Sequence, residues 1–202
     1  MPPDPSVKNW PVVSSRALAS YRIFSLRNDL KINPRTGGRH DFFVLECPDW
    51  VNVVAVTRDA RLVMVEQFRH GTNTVELEIP GGVMDPQESD PVAAGQRELR
   101  EETGFEGDDA RLIGSIFPNP AIQSNTCHTL LVENCELRHP TEFDQAEDIH
   151  VRLVPLDTLP QLLASGQIRH SLVVVALSHY LGQREEWRRQ KAEGRGQRTG
   201  NE

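Results

Sequence analysis

A chain of 202 residues with a formal net charge of −7 is long enough for one domain with a sizeable core and a small appendage. The acidic balance argues against a generic nucleic-acid binder, and no apolar run is long enough to span a bilayer. Three cysteines, Cys47, Cys127 and Cys135, have no metal-like spacing, and an odd count argues against a disulfide framework. Each is expected to be a small buried thiol in a cytoplasmic protein. No signal-peptide pattern is read at the start, where Met-Pro-Pro-Asp-Pro is expected to be loose.

Residues 22–26 and 41–45 read as short strands around the turn-rich Asn33-Pro34-Arg35-Thr36-Gly37-Gly38. Residues 50–56 form a buried-type strand, Asp59-Ala60 a turn, and 61–69 the hairpin partner. Residues 74–79 lead into Pro80-Gly81-Gly82, a sharp loop with little side chain, where a backbone carbonyl can approach a metal closely. A helix begins near Ser89-Asp90-Pro91. Beyond it, 112–117, 127–134 and 150–155 read as strands, 156–165 as a helix ended by Gly166, and 171–184 as another helix. Strands and helices packed in layers predict an α/β fold, an α/β/α sandwich around a mixed sheet. Residues 1–46 form a small N-terminal β arm, 47–184 the main domain, and 185–202 a polar tail, read as a fraying helix that loses order after Gly194.

The first helix carries the chemistry. Glu98, Glu101 and Glu102 are spaced i, i+3 and i+4, so they fan over about a quarter to a third of its circumference. Three carboxylates there repel one another unless a positive charge sits among them. A hard divalent cation, Mg²⁺ or Mn²⁺, takes oxygen ligands and suits the position; a solvated acidic face is the plainer reading of the same pattern. The flanking residues favour the metal. Gly104 suits a left-handed C-cap, Ala93, Ala94 and Leu99 offer an apolar face, and Arg97 is placed at i, i+4 to orient Glu101.

This loop–helix–loop resembles the Nudix box, G-x5-E-x7-R-E-U-x-E-E-x-G-U. Gly82, Glu88, Arg97, Glu98, Glu101, Glu102 and Gly104 match its fixed residue types. One departure stands out: eight residues, not seven, separate Glu88 from Arg97, with the extra one near Ser89-Asp90-Pro91. Val65-Glu66-Gln67-Phe68-Arg69-His70-Gly71 and Glu76-Leu77-Glu78-Ile79-Pro80-Gly81-Gly82 are similar to the ADP-ribose and nucleotide-sugar pyrophosphatase branch. The likeness runs from about residue 10 to about residue 180.

The resemblance implies a set of roles. Gly81 (through its carbonyl), Glu98, Glu101, Glu102 and Glu147 hold two or three Mg²⁺ ions, with Mn²⁺ as a substitute. Arg69 grips the substrate diphosphate, and Glu78 or Glu76 orients Arg69 or a substrate hydroxyl. Asn125 and His128 are polar groups for a sugar or base, though His128 equally suits a satisfied histidine at a strand start. Arg97, Glu101 and Glu147 serve catalysis. Gln145 stands where the branch can place its base and cannot take a proton, which leaves Asp144, Glu147 or Glu101 for that role. Asn119-Pro120-Ala121 departs from the Ser-Pro-Gly type of ADP-ribose enzymes, so a nucleotide sugar is as plausible a substrate.

The implied reaction is Mg²⁺-dependent hydrolysis of a diphosphate bond, giving a nucleoside monophosphate and a sugar phosphate. Two alternatives share the fold. One is a pyrophosphohydrolase of nucleoside triphosphates or dinucleoside polyphosphates. The other is a non-catalytic nucleotide-derivative sensor, which usually loses box glutamates, whereas all four are intact here. Partners beyond the small molecule are expected to be a second copy only, with neither nucleic acid nor membrane. In the resembling branch the N-terminal strands pack across a homodimer and help line the substrate site.

Overall fold

The computed structural model describes residues 7–145 and 147–196, with side chains given as far as 186. The first residues of the expected loose N-terminus and the end of the polar tail lie outside the described residues. The chain divides into two compact units, Met1–Asp49 with Phe117–Thr126, and Trp50–Ile116 with Cys127–Glu202.

The first unit is a three-stranded antiparallel sheet of β1 (Val12–Ser20), β2 (Ser25–Ile32) and β3 (Arg39–Glu46), in that order. β1 was not expected, because its sequence, VVSSRALAS, has no clean apolar–polar alternation and nearly all of it is exposed. The strand expected at 22–26 is displaced: the Tyr21 N–H donates to the Phe24 carbonyl at 2.8 Å, making the β1–β2 turn there. β2 is organised around a charge instead of an apolar face. Buried Asp29 accepts from Ser15 Oγ at 2.6 Å and Arg27 Nε at 3.1 Å, with Lys31 Nζ 3.8 Å away. These partners hold its carboxyl below the usual range, Ser15 most strongly. Residues of the second segment join this sheet, the Leu45 N–H donating to the Ile122 carbonyl and the Ser124 N–H to that of Leu45.

In the second unit a seven-stranded mixed sheet has the order β10-β5-β4-β9-β8, with β6 paired to β5 and β7 to β4. The strands are β4 (Trp50–Thr57), β5 (Arg61–Arg69), β6 (Thr74–Glu78), β7 (Gly81–Val83), β8 (Phe105–Ile116), β9 (Cys127–Leu137) and β10 (Ile149–Pro155). β4 and β9 run parallel; the other pairs are antiparallel. The helices are α1 (Pro91–Thr103), α2 (Leu159–Ala164) and α3 (Ser171–Gly196).

Strand alternation decides which helix covers which face. Val51, Val53 and Ala55 pack with Ala94 and Leu99 of α1, whereas Val54, Leu62 and Met64 pack with Leu159 of α2 and Val173, Ala176 and Leu177 of α3. The result is the expected α/β/α sandwich on a mixed sheet.

Two further elements differ from expectation. Gly81–Val83, read as loop, is a short strand registered against Trp50, Val51 and Asn52. β8 starts directly after α1, not at 112, and its acidic first half pairs through several register shifts. α3 continues past Arg184 to Gly196, over the polar residues read as a fraying helix. Cys127 and Cys135 are buried free thiols, and Cys47 is half-buried. Among the described residues no helix is long and apolar enough to cross a membrane.

Candidate active site

α1 is delimited as its sequence suggests. The Asp90 side chain accepts the Val92 N–H at 2.9 Å, Pro91 opens the first turn, and Gly104 closes the helix at φ 73° with its N–H on the Arg100 carbonyl. Ala94 and Leu99 enter the core, which turns Glu98 and Glu102 into the groove beside β7.

The extra residue before Arg97 is absorbed at the Asp90-Pro91 start, and Glu88 still reaches the guanidinium. Arg97 Nε donates to Glu88 Oε1 at 2.9 Å and Nη2 to Oε2 at 3.0 Å, while the Asp85 N–H fixes Oε2 at 2.8 Å. On its other side, Arg97 Nη1 lies 2.9 Å from both Glu98 Oε1 and Glu101 Oε2. One guanidinium therefore stands among three carboxylates, and its own pKa is raised, foremost by Glu88.

β7 supplies the opposite wall. The Gly81 N–H donates to Glu102 Oε2 at 3.0 Å. A Cβ on Gly82 would lie 2.6 Å from the Glu98 carboxyl carbon, so any larger residue there would push this carboxylate aside. Burial pushes Glu98 up to about 7, against the pull of Arg97. Burial pushes Glu102 up to about 8, against the Gly81 N–H, with Glu98 and Glu147 adding repulsion. Among the described residues no three His, Cys, Asp or Glu side chains converge as a ready metal cage. The reason is local. Glu98 and Glu101 turn to Arg97, and Glu102 turns to Gly81.

The donor set nonetheless fits a hard divalent cation. Every candidate atom is an oxygen, and the buried negative charge exceeds what Arg97 offsets. Glu147 is near enough for its charge to raise both Glu98 and Glu102. Its Oε2 accepts the Asp144 N–H at 2.9 Å, which folds the carboxylate back on its own loop. Gln145, between them, is exposed.

Across the site, Arg69 at the end of β5 meets Glu78 at the end of β6. Nε donates to Oε1 and Nη2 to Oε2, both at 2.7 Å. His170 Nδ1 stands 2.7 Å from the same Oε2. Burial alone would raise the Glu78 carboxyl, but hydrogen bonds from Arg69 and His170 hold it down at about 2. Arg69 is within electrostatic reach of Glu102. Glu78, expected to orient Arg69 or a substrate hydroxyl, has both oxygens engaged inside the protein, by Arg69 and His170, because a buried carboxylate needs its hydrogen-bond donors.

The two polar candidates after the box part company. His128 sits on β9 with Nδ1 2.9 Å from Ser115 Oγ. Asn125 belongs to the other unit, where both polar atoms of its buried amide lack a hydrogen-bond partner among the described residues. Sequence reasoning missed Arg169 and His170. Their only signal was a pair of basic residues directly before a helix.

A model of the NUDIX domain matches residues 48–176. The chain belongs to the Nudix family. An ADP-ribose pyrophosphatase of Bacillus subtilis is 30% identical over 137 residues, 67% of this chain and 74% of that relative. A GDP-mannose pyrophosphatase of Klebsiella pneumoniae subsp. pneumoniae is 27% identical over 183 residues, 85% of this chain and 91% of the relative. A solved structure, an ADP compounds hydrolase, superposes with a TM-score of 0.78 at 22% identity, over 93% of this chain and 98% of that one. The Nudix hydrolase assignment thus rests on the family match and these relatives, and the fold on the superposition as well.

Proposed function

We propose that this Nudix hydrolase cleaves the diphosphate bond of ADP-ribose or a nucleoside diphosphate sugar, giving a nucleoside monophosphate and a sugar phosphate, with Mg²⁺ as cofactor. The observation that carries the reading is the pairing of an under-neutralised carboxylate groove with a fixed guanidinium, Arg69, within electrostatic reach of it. A diphosphate with its metal ions has the matching charges. Relatives named for ADP-ribose and GDP-mannose support the substrate class.

Glu98, Glu101, Glu102, Glu147 and the Gly81 carbonyl would hold the ions. When bound, they supply Lewis acidity that offsets charge on the phosphoryl oxygens and on the attacking water. The protein's own groups do the rest. Arg69 binds a phosphate oxygen, and Glu78 keeps its fork in one plane. Arg97, anchored by Glu88, holds Glu101 toward the groove. Glu147 takes the proton of the water on the oxygen that Asp144 does not engage, which answers the loss of a base at Gln145.

The first unit supports a homodimer, as Ile23 in the β1–β2 turn and Phe43 on β3 stand 68% and 56% exposed. Free thiols accord with a cytoplasmic site. Light scattering after gel filtration tests the dimer. The reaction is tested by a substrate panel with product identification, in Mg²⁺ and in EDTA. Expected are a nucleoside monophosphate and a sugar phosphate from ADP-ribose or GDP-mannose, in Mg²⁺ only. Turnover confined to nucleoside triphosphates or dinucleoside polyphosphates would sink this substrate class.

A further inference from the structure

Behind Arg69 lies a polar layer of which the proposed chemistry uses Glu78 alone. Glu76 and Glu78 alternate with Leu77 and Ile79, which pack with α2 and α3, so the two carboxylates share the opposite face of β6. Register places Arg69 beside Thr74 and Gln67 beside Glu76 on that same face. Each buried carboxylate is gripped from the segment just before α3. Arg169 donates to Glu76 through Nε at 3.1 Å and Nη2 at 2.5 Å. His170 binds Glu78 through Nδ1 at 2.7 Å. A carboxylate oxygen only accepts, so this nitrogen carries the proton.

Glu78 therefore receives three hydrogen bonds, two from Arg69 and one from His170. The arginine side chain is 41% exposed and flexible by nature, whereas the carboxylate that aims it is 2% exposed. One guanidinium on one carboxylate leaves the pair free to rock together. A donor from a separate element removes that freedom, as an outer hydrogen bond does for a metal ligand. Nη1 is the nitrogen that Glu78 does not hold.

We infer that His170 is a positioning residue for the substrate-binding arginine, fixing Glu78 and through it the direction in which Arg69 presents Nη1. This rests on the reading that Arg69 binds the diphosphate. The test compares H170A, H170N, R69A and the double variant R69A/H170A. Calorimetry with ADP-ribose in EDTA gives Kd without turnover, and kinetics in Mg²⁺ give kcat and KM. H170N keeps a donor near the Nδ1 position. H170F fills the ring's space without a donor and carries the comparison if H170A fails to fold.

Removing the donor should weaken ADP-ribose binding and raise KM by about ten-fold, with kcat changed by no more than about two-fold. H170N should restore most of the affinity, and H170A should cost nothing further in the R69A background. An unchanged Kd in H170A, an H170N no better than alanine, or an equal loss in the R69A background would each overturn the role of His170. If R69A itself left Kd unchanged, the assignment of Arg69 would fall, and this inference with it. A weakened R69A beside a silent H170A removes His170 alone.

Discussion

Glutamates line two sides of this site, equally buried and opposite in behaviour. Glu78 on β6 is 1% exposed, and its carboxyl is held near 2. Glu102 on α1 is 4% exposed, and its carboxyl is pushed up to about 8. Burial opposes ionisation in both, so the partners decide. Glu78 has a guanidinium fork and an imidazole; Glu102 has one backbone N–H and the repulsion of Glu98 and Glu147. The β6 side is complete within the protein and acts by holding a shape. The α1 side carries a deficit of positive charge, and that deficit is where a cation from outside belongs.

The same chemical change on the two sides breaks the comparison most sharply. Glu102→Gln should lower kcat by about 10³-fold, through loss of a metal ligand. In EDTA near pH 8 its Tm should hold or rise, since a neutral amide replaces an unwelcome charge. Glu78→Gln should instead destabilise the protein by about 2 kcal/mol, by leaving Arg69 and His170 without their anion. Steady-state kinetics and thermal unfolding of both variants check this. Near-wild-type turnover in E102Q would remove the metal assignment, and equal Tm changes would remove the distinction between the sides.

Arg69→Ala comes next. Losing a charge-assisted contact to phosphate should raise KM by about 10²-fold, and R69K should recover little, since an ammonium cannot match the fork. Smaller again is Glu88→Gln, which loosens Arg97 and with it Glu101. An outer-shell change of this kind should lower kcat by about ten-fold with KM little altered. If E88Q has no kinetic effect, the guanidinium among the three carboxylates only neutralises and does not orient.

The α1 side was legible in the sequence because its information is local. Spacing fixes Glu98, Glu101 and Glu102 on one helix face, Arg97 stands one turn from Glu101, and Gly104 announces the cap. The one irregularity, the residue added after Glu88, is absorbed where the Asp90-Pro91 helix start has slack. The β6 side was only half legible. Arg69 and Glu78 stand nine positions apart and were suggested by likeness to a family. Arg169 and His170 are more than ninety positions from the carboxylates they grip, and no local pattern encodes that meeting. The same limit explains β1, whose strand state depends on pairing with β2 and not on alternation. It explains β7 too, where two glycines read as loop become a strand because β4 lies alongside.

The smallest expected effect follows from the charge deficit alone. Glu98 and Glu102 titrate near 7 and 8 in the fold, against an ordinary value of 4.5. Both folded values are raised, so their contribution to stability is fully present below about 4.5 and is lost as pH rises through 7 and 8. In that window the unfolded chain has already released the protons that the fold retains. The lowered groups, Glu78, Glu88 and Asp29, act in the opposite sense and only at more acid pH. The Tm of the metal-free protein in EDTA should therefore fall between about pH 5 and pH 8.5. Saturating Mg²⁺ should flatten this slope, because a cation bound to the same carboxylates takes the place of the protons and favours the folded state. The β6 side predicts no such sensitivity. A Tm flat with pH in EDTA would mean that the α1 carboxylates already have their counter-charge within the protein, and the contrast between the two sides would not hold.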